Sequence, residues 1–90
     1  EWWNDEGLKA LSVRVVRAAP NDLGANKMRA EVLGLLGGGP ATWELGCRSA
    51  AELREAAAYF ERAAAIELAP IHKAELASGA GWCRSRADAI

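Results

Sequence analysis

The apolar residues of this chain recur every three or four positions in four stretches, which is the spacing of one face of an α-helix. The first stretch follows Asn4, a residue type suited to cap a helix N-terminus, and it ends at Pro20, which cannot continue a helix. The predicted buried stripe of this first helix is Leu8, Leu11, Val15 and Ala18, widened by Ser12, Val16 and Ala19. We therefore predict an amphipathic helix at the start of the chain.

A second helix is predicted from about Leu23 to Leu36, with Asn21 and Asp22 capping its start. Its predicted buried face is Ala25, Met28, Val32, Leu35 and Leu36. The break before it is so short that the two helices are expected to fold back on each other as an αα-hairpin. The run Gly37-Gly38-Gly39-Pro40 then ends the second helix.

The third helix is predicted from about Ala50 to Glu67, and its start carries the clearest local signal in the sequence. Ser49 and Glu52 have the spacing of a capping box, in which each side chain accepts a hydrogen bond from the other residue's backbone N–H. The predicted buried stripe of this helix is Leu53, Ala56, Ala57, Phe60, Ala63 and Ala64.

The fourth helix is predicted from about Pro70 to Ala89, because proline is tolerated in a first helical turn. Its predicted buried set is Ile71, Ala74, Leu76, Ala80, Cys83, Ala87 and Ile90. Gly79 and Gly81 have two interpretations. They either weaken this helix, by up to about 1 kcal/mol each relative to alanine, or permit a close contact with a neighbouring helix.

These elements predict an all-α fold of two antiparallel helix hairpins, arranged as an α-solenoid or as a small four-helix unit. We expect residues 1–90 to form one helical-repeat domain or a fragment of one, with helix pairs at about 5–37 and 49–90 and a connector at 38–48. A shift of the chain by 45 residues supports the repeat. It places Leu8 on Leu53 and Val15 on Phe60, and it aligns the Arg-Ala-Ala triplets that begin at positions 17 and 62.

The second half of the chain resembles a tetratricopeptide repeat (TPR), and the first half resembles a degenerate copy of it. The residues that carry the resemblance are Ala56, Phe60, Ala63 and Pro70, then Leu11, Val15, Ala18 and Pro20 in the first half, with Trp43, Leu45 and Gly46 resembling the opening helix of the repeat. The period of 45 residues is longer than the usual spacing of about 34. The resemblance implies a helical scaffold whose surface binds a protein or peptide.

Composition limits the classes of function. Twenty of the 90 residues are alanine, which favours helix but buries little area, so we expect a small domain with few bulky core residues. The net charge of −1 gives no basic face for nucleic acid, and no apolar run reaches the length of a membrane span. We expect a soluble, intracellular protein, with cytoplasm and organelle not distinguished. The chain begins at Glu1, which suggests a processed protein or a piece of a longer one.

The sequence offers little for catalysis, cofactors or metals. His72 is the only histidine, and its spacing from Cys47 and Cys83 predicts neither a metal site nor a Cys–His pair. We expect both cysteines to be reduced thiols in the core or at an interface. The glycine run at 37–40 lacks the lysine and hydroxyl residue that end a phosphate-binding loop.

The four tryptophans are the candidate partner-binding residues, because tryptophan is enriched at the energetic centres of interfaces. Trp2 and Trp3 either contact a partner or fold back as a cap over the first hairpin. Trp43 either contacts a partner or fills the gap between the two helix pairs, and Trp82 faces either the core or a neighbour.

Two functional hypotheses follow from the sequence, and neither is enzymatic. The first is a scaffold for protein–protein interaction of helical-repeat type, in which the fourth helix or the Trp2–Trp3 end buries its apolar surface on a partner. The alternative is a small structural accessory subunit of a larger multiprotein complex, for example in an organelle. The sequence identifies neither the partner nor the pathway.

Overall fold

The computed structural model describes residues 5–34 and 49–89, and these residues form four α-helices. The helices are α1 (Asp5–Ala18), α2 (Leu23–Gly34), α3 (Ala50–Ile66) and α4 (Pro70–Ala89). Each helix packs against the next one in the chain, most extensively α3 against α4. The predicted all-α class with helix-hairpin packing is therefore confirmed for the described residues, which contain no strand. The predicted connector at 38–48 lies outside them, so the repeat register stays a prediction.

Side chains fix the ends of the helices as the sequence indicates. The capping box of α3 is present: Ser49 Oγ accepts from the backbone N–H of Glu52 at 3.1 Å, and Glu52 Oε1 accepts from Ser49 N–H at 3.0 Å. At the start of α2, Asp22 Oδ2 accepts from Ala25 N–H at 2.8 Å. Asn26, which is fully buried, donates to the carbonyls of Pro20 at 3.0 Å and Asp22 at 2.8 Å and so holds the α1–α2 turn.

The core lies around α3, and most of its members are small. The cluster comprises Ala30, Leu33, Ala56, Ala57, Phe60, Ala63, Leu76, Ala80 and Cys83. The buried stripe predicted for α3 is confirmed, with Ala64 partly buried against the cluster. Because five of these nine residues are alanine, the helix axes can approach one another closely while the buried apolar area stays modest.

The buried faces of the other three helices differ from those predicted. On α4, Ile71 is 68% exposed and Ala74 is exposed, since both lie off the row formed by the four buried residues. That row is Leu76, Ala80, Cys83 and Ala87. On α1 the most buried residues are Ser12 and Val16, whereas Leu11 is 36% exposed. Ile90, also in the predicted set, lies outside the described residues.

Helix α2 has no single apolar stripe, because it packs against both α1 and α3. Its buried residues are Ala25, Asn26, Arg29, Ala30, Leu33 and Gly34. Met28 and Val32, which were predicted to be buried, are only half-buried, and Leu35 and Leu36 lie outside the described residues.

A buried arginine connects the first three helices. Arg29 of α2 is only 9% exposed, and its Nη1 donates to the carbonyl of Lys9 at 3.1 Å and to Ser12 Oγ at 2.9 Å, both on α1. Its Nη2 reaches Glu55 Oε2 of α3 at 3.3 Å. The planar guanidinium can satisfy several acceptors at once, and its two closer hydrogen bonds hold α1 in position on α2.

A second polar contact joins α1 to the N-terminus of α3. Lys9 Nζ lies 2.6 Å from Glu52 Oε2, while the other oxygen of that carboxylate serves the capping box. The hydrogen bond from Lys9, followed by the one from Ser49 N–H, lowers the pKa of Glu52 from 4.5 to about 2. The charged form of Glu52 is therefore the form that stabilises the fold.

We expect the contribution of Glu52 to be present above about pH 4.5 and to be lost as the pH falls towards 2, since the folded-state pKa is the lower one. Glu52→Gln keeps an acceptor for the cap but removes the ion pair. It should lower the free energy of unfolding by about 1–2 kcal/mol at pH 7 and by almost nothing at pH 2. Urea unfolding at both pH values measures this. Glu61→Gln, which affects the exposed pair with Arg84, is the control and should cost less at pH 7. An equal loss at both pH values for Glu52→Gln would contradict the assignment.

Arg29→Ala should destabilise the protein by about 2 kcal/mol, because the hydrogen bonds that tie α1 to α2 disappear. Glu55→Ala should cost less than about 0.5 kcal/mol, since the Glu55 side chain is 46% exposed and its contact with Arg29 is long. Thermal and urea unfolding of the two variants compare the contacts directly. If both substitutions lower the free energy of unfolding equally, Arg29 stabilises the protein mainly through its contact with Glu55 and not through its contacts with α1.

Candidate functional site

A groove lies between α2 and α4, because both helices pack against α3 and leave space between themselves. Its volume is about 350 Å³. It is lined by Leu23, Lys27 and Glu31 of α2, by Phe60 of α3 and its C-cap Glu67, and by His72, Glu75, Leu76 and Gly79 of α4. The helical periodicity explains the lining, since residues three or four apart fall on one side of a helix.

Apolar groups line the deeper part of the groove. Phe60 is 4% exposed and Leu76 is 6% exposed, and Leu23 packs partly buried against the same cluster. Gly79 of α4 lies directly against the ring of Phe60: a Cβ atom at this position would be 3.2 Å from Phe60 Cε1 and 3.3 Å from Cδ1 and Cζ. The missing side chain therefore allows the α4 backbone to approach the ring more closely than alanine would permit.

Ionisable side chains surround this apolar part, and their charges do not balance. Three carboxylates, Glu31, Glu67 and Glu75, face one ammonium group, that of Lys27. With His72 neutral, the lining carries a formal charge of −2. The groove is thus acidic, although the whole chain is close to neutral.

Glu67 occupies the short connection between α3 and α4 and is fixed there by backbone groups. Its Oε1 accepts from the N–H groups of Leu68 at 2.9 Å and Ala69 at 3.0 Å, and its own N–H donates to the carbonyl of Ala63 at 2.9 Å. The hydrogen bond from Ala69, then the one from Leu68, lower the pKa of Glu67. The surrounding N–H groups therefore favour the charged form of this carboxylate.

The groups considered for catalysis and metal binding do not come together in the described part of the chain. Within residues 5–34 and 49–89, no three His, Cys, Asp or Glu side chains are placed to hold a metal ion. Cys83 is a buried free thiol, and burial raises its pKa. His72 is exposed and precedes Cys83 by eleven positions on the same helix, about 16 Å along its axis, so the two form no Cys–His pair. Cys47 lies outside the described residues.

Of the four tryptophans predicted to contact a partner, only Trp82 lies within the described residues; Trp2, Trp3 and Trp43 lie outside them. Trp82 is 42% exposed, so it faces outwards rather than into the core, and the guanidinium of Arg86 lies 4.6 Å from its ring centroid. It does not line the groove.

Trp82 belongs to a second surface, which we call the outer face of α4. We define it by the exposed residues Ile71, Ala74, Ser78 and Trp82, which follow one another at steps of three and four. Leu68, in the connection that precedes α4, is 92% exposed. This part of the molecule therefore displays several large apolar side chains to solvent.

The sequence did not identify the groove residues as a site. The one signal for them was Gly79, for which a close helix contact was one of two interpretations. The structure supports that interpretation for Gly79 and not for Gly81, where an added Cβ would meet no atom within 4 Å. No helix among the described residues has the length and apolarity needed to cross a membrane.

The two glycines of α4 make a matched pair for measuring the contact with Phe60. Gly81→Ala should raise the free energy of unfolding by about 0.5–1 kcal/mol, because alanine is the better helix former and its methyl group meets open space. Gly79→Ala brings the same gain in helix propensity but presses a methyl group onto the ring. We expect it to be at least about 1 kcal/mol less stable than Gly81→Ala. Urea unfolding of both variants measures the difference, and equal stabilities would show that the ring moves aside at no cost.

No protein-family model, no curated protein and no solved structure matches this chain. The resemblance to a tetratricopeptide repeat therefore stays a prediction. The groove and the outer face of α4 are the features from which a function can be argued.

Proposed function

We propose that this chain is a non-catalytic protein–protein interaction module of helical-repeat type and that the groove between α2 and α4 is its binding site. The observation that carries the proposal is the combination of a concave space, an apolar floor that includes Phe60 and Leu76, and a charged rim. Binding sites are commonly built this way, since apolar surface supplies affinity and a few placed polar groups supply orientation.

The size of the groove favours protein side chains as its occupants. A volume of about 350 Å³ is near the lower end of the range of about 300–1,000 Å³ for small-molecule pockets. The groove is open to solvent along α2 and α4, and Lys27, His72 and Glu75 on its walls are exposed. A few side chains of a partner segment would fill such a space, with the rest of the segment outside.

The chemistry of the lining supports a binding role. The carboxylate of Glu67 already accepts two backbone hydrogen bonds, which makes it a poor proton carrier. The thiol of Cys83 is buried away from the groove, with a raised pKa, so it does not supply a nucleophile there.

The outer face of α4 supports a second candidate function, that of a small structural accessory subunit of a larger complex. Ile71 is 68% exposed and Trp82 is 42% exposed, on a helix face without a neighbour among the described residues. A subunit that fills a gap between other proteins would bury such side chains, and tryptophan is frequent at the centres of these contacts.

Site-specific photocrosslinking in the cells that express the protein tests the two proposals. A benzophenone amino acid replaces His72 in the groove, Ser78 on the outer face of α4, or Arg14 on α1 as an exposed control. If the groove is the binding site, position 72 should give a discrete adduct at least about fivefold more abundant than position 14, because a bound segment stays within reach of the probe.

Adducts from position 78 alone would favour the accessory-subunit role over the groove. Equal, diffuse labelling from all three positions would contradict both proposals. Circular dichroism of each variant checks that the helices remain, and all three replaced residues are exposed, so the fold should tolerate the changes.

A further inference from the structure

We infer that the partner segment recognised by the groove carries lysine or arginine beside an apolar side chain. The inference rests on the proposed function and adds to it the chemical class of the ligand. It follows from which carboxylates have a hydrogen-bond or ion-pair partner within the protein, and from the position of those that have none.

Among residues 6–34 and 49–89, seven of the nine acidic side chains have a partner within the protein. Two of them, Asp22 and Glu67, cap backbone N–H groups. The others pair with basic side chains: Glu6 and Glu52 with Lys9, Glu55 with Arg29, Glu61 with Arg84, and Asp88 with Arg54. Each of these negative charges is therefore stabilised from within the protein.

Two carboxylates are exceptions, and both line the groove. Glu31 and Glu75 have no ion pair within 4.0 Å and no side-chain hydrogen bond to any residue that the structure describes. Glu31 lies on the α2 wall and Glu75 on the α4 wall. Two unpaired negative charges on facing walls, above an apolar floor, attract a cationic side chain that enters between them.

The third groove carboxylate strengthens this field. Glu67 lines the same groove, and backbone N–H groups stabilise its negative charge. Lys27 offsets one of the three negative charges and leaves the lining at −2. An acidic segment or a nucleic acid would meet repulsion here, whereas a basic one would gain ion pairs partly shielded from water by the groove walls.

The apolar floor of the groove explains why we expect the ligand to carry an apolar side chain as well as a basic one. Phe60, Leu76 and Leu23 present carbon surface beneath the charged rim, and Gly79 contributes no side chain above Phe60. A leucine-sized group next to the basic residue would bury its surface on this floor. Charge alone would give weak, nonspecific attraction, so the adjacent apolar residue supplies the selectivity.

Three acetylated nine-residue peptides test the inference. They share a central leucine, which is flanked on both sides by arginine, by glutamine or by glutamate. Titrated into the full ¹⁵N-labelled chain, the arginine peptide should shift the amide signals of Glu75, Leu76 and Gly79 saturably. Its affinity should be about tenfold higher than that of the glutamine peptide and should fall when NaCl rises from about 50 to about 300 mM.

Matched variants identify the carboxylates responsible. The double variant Glu31→Gln/Glu75→Gln should weaken binding of the arginine peptide about five- to tenfold, with an unchanged melting temperature, because neither residue has a partner to lose among the described ones. Glu6→Gln/Asp88→Asn removes two exposed carboxylates outside the groove and should leave the affinity unchanged.

Three other outcomes would overturn the inference, and each one points to a different occupant or role of the groove. If the glutamine or glutamate peptide shifts the same signals equally well, the groove binds peptides but does not select basic ones, so the proposed function survives. If no peptide shifts them at millimolar concentration, the basic segment is excluded, and crosslinking from position 72 decides the function independently. If the groove signals move on dilution of the chain alone, the occupant is a second copy of the protein.

Discussion

The structure depends on the close packing of two helices against α3. Residues 56, 57 and 63 of α3 are alanines, whose short side chains project little from the helix. Both α2 and α4 can therefore approach α3 closely. The bulky ring of Phe60 projects from this surface, and α4 accommodates it with glycine at position 79. Once both neighbours are placed on α3, the space that remains between them becomes the groove. The groove is therefore a consequence of how the core is packed.

A core built from alanine buries limited apolar area, and polar contacts supplement it. Arg29 and the Lys9–Glu52 pair hold α1, which contributes few bulky side chains to the interior. Such contacts are individually worth about 1–3 kcal/mol when they are partly buried and well satisfied. They also demand particular geometry, so they specify how α1 sits on the remaining helices.

The positions of the helices were predicted well from the sequence. Their buried faces were predicted correctly for α3 and less well for the other helices. Helix α3 was predicted correctly because its apolar and charged residues separate cleanly and because Ser49 and Glu52 mark its start. Helix α2 buries Asn26 and Arg29, and a hydrophobic pattern cannot anticipate polar residues that are buried because particular hydrogen bonds hold them. The groove could not be predicted for a related reason: its walls come from helices far apart in sequence, and only the packing of both on α3 brings them together.

Glu67 belongs both to the lining of the groove and to the connection between α3 and α4. The residue ends α3, its carboxylate accepts two N–H groups that lead into α4, and the same carboxylate contributes to the negative charge of the groove. A ligand that drew this carboxylate towards itself would compete with the amides that shape the interhelical turn. For a ligand of that kind, occupancy of the groove and the geometry of the α3–α4 connection would be thermodynamically linked, and each would influence the other by the same free energy.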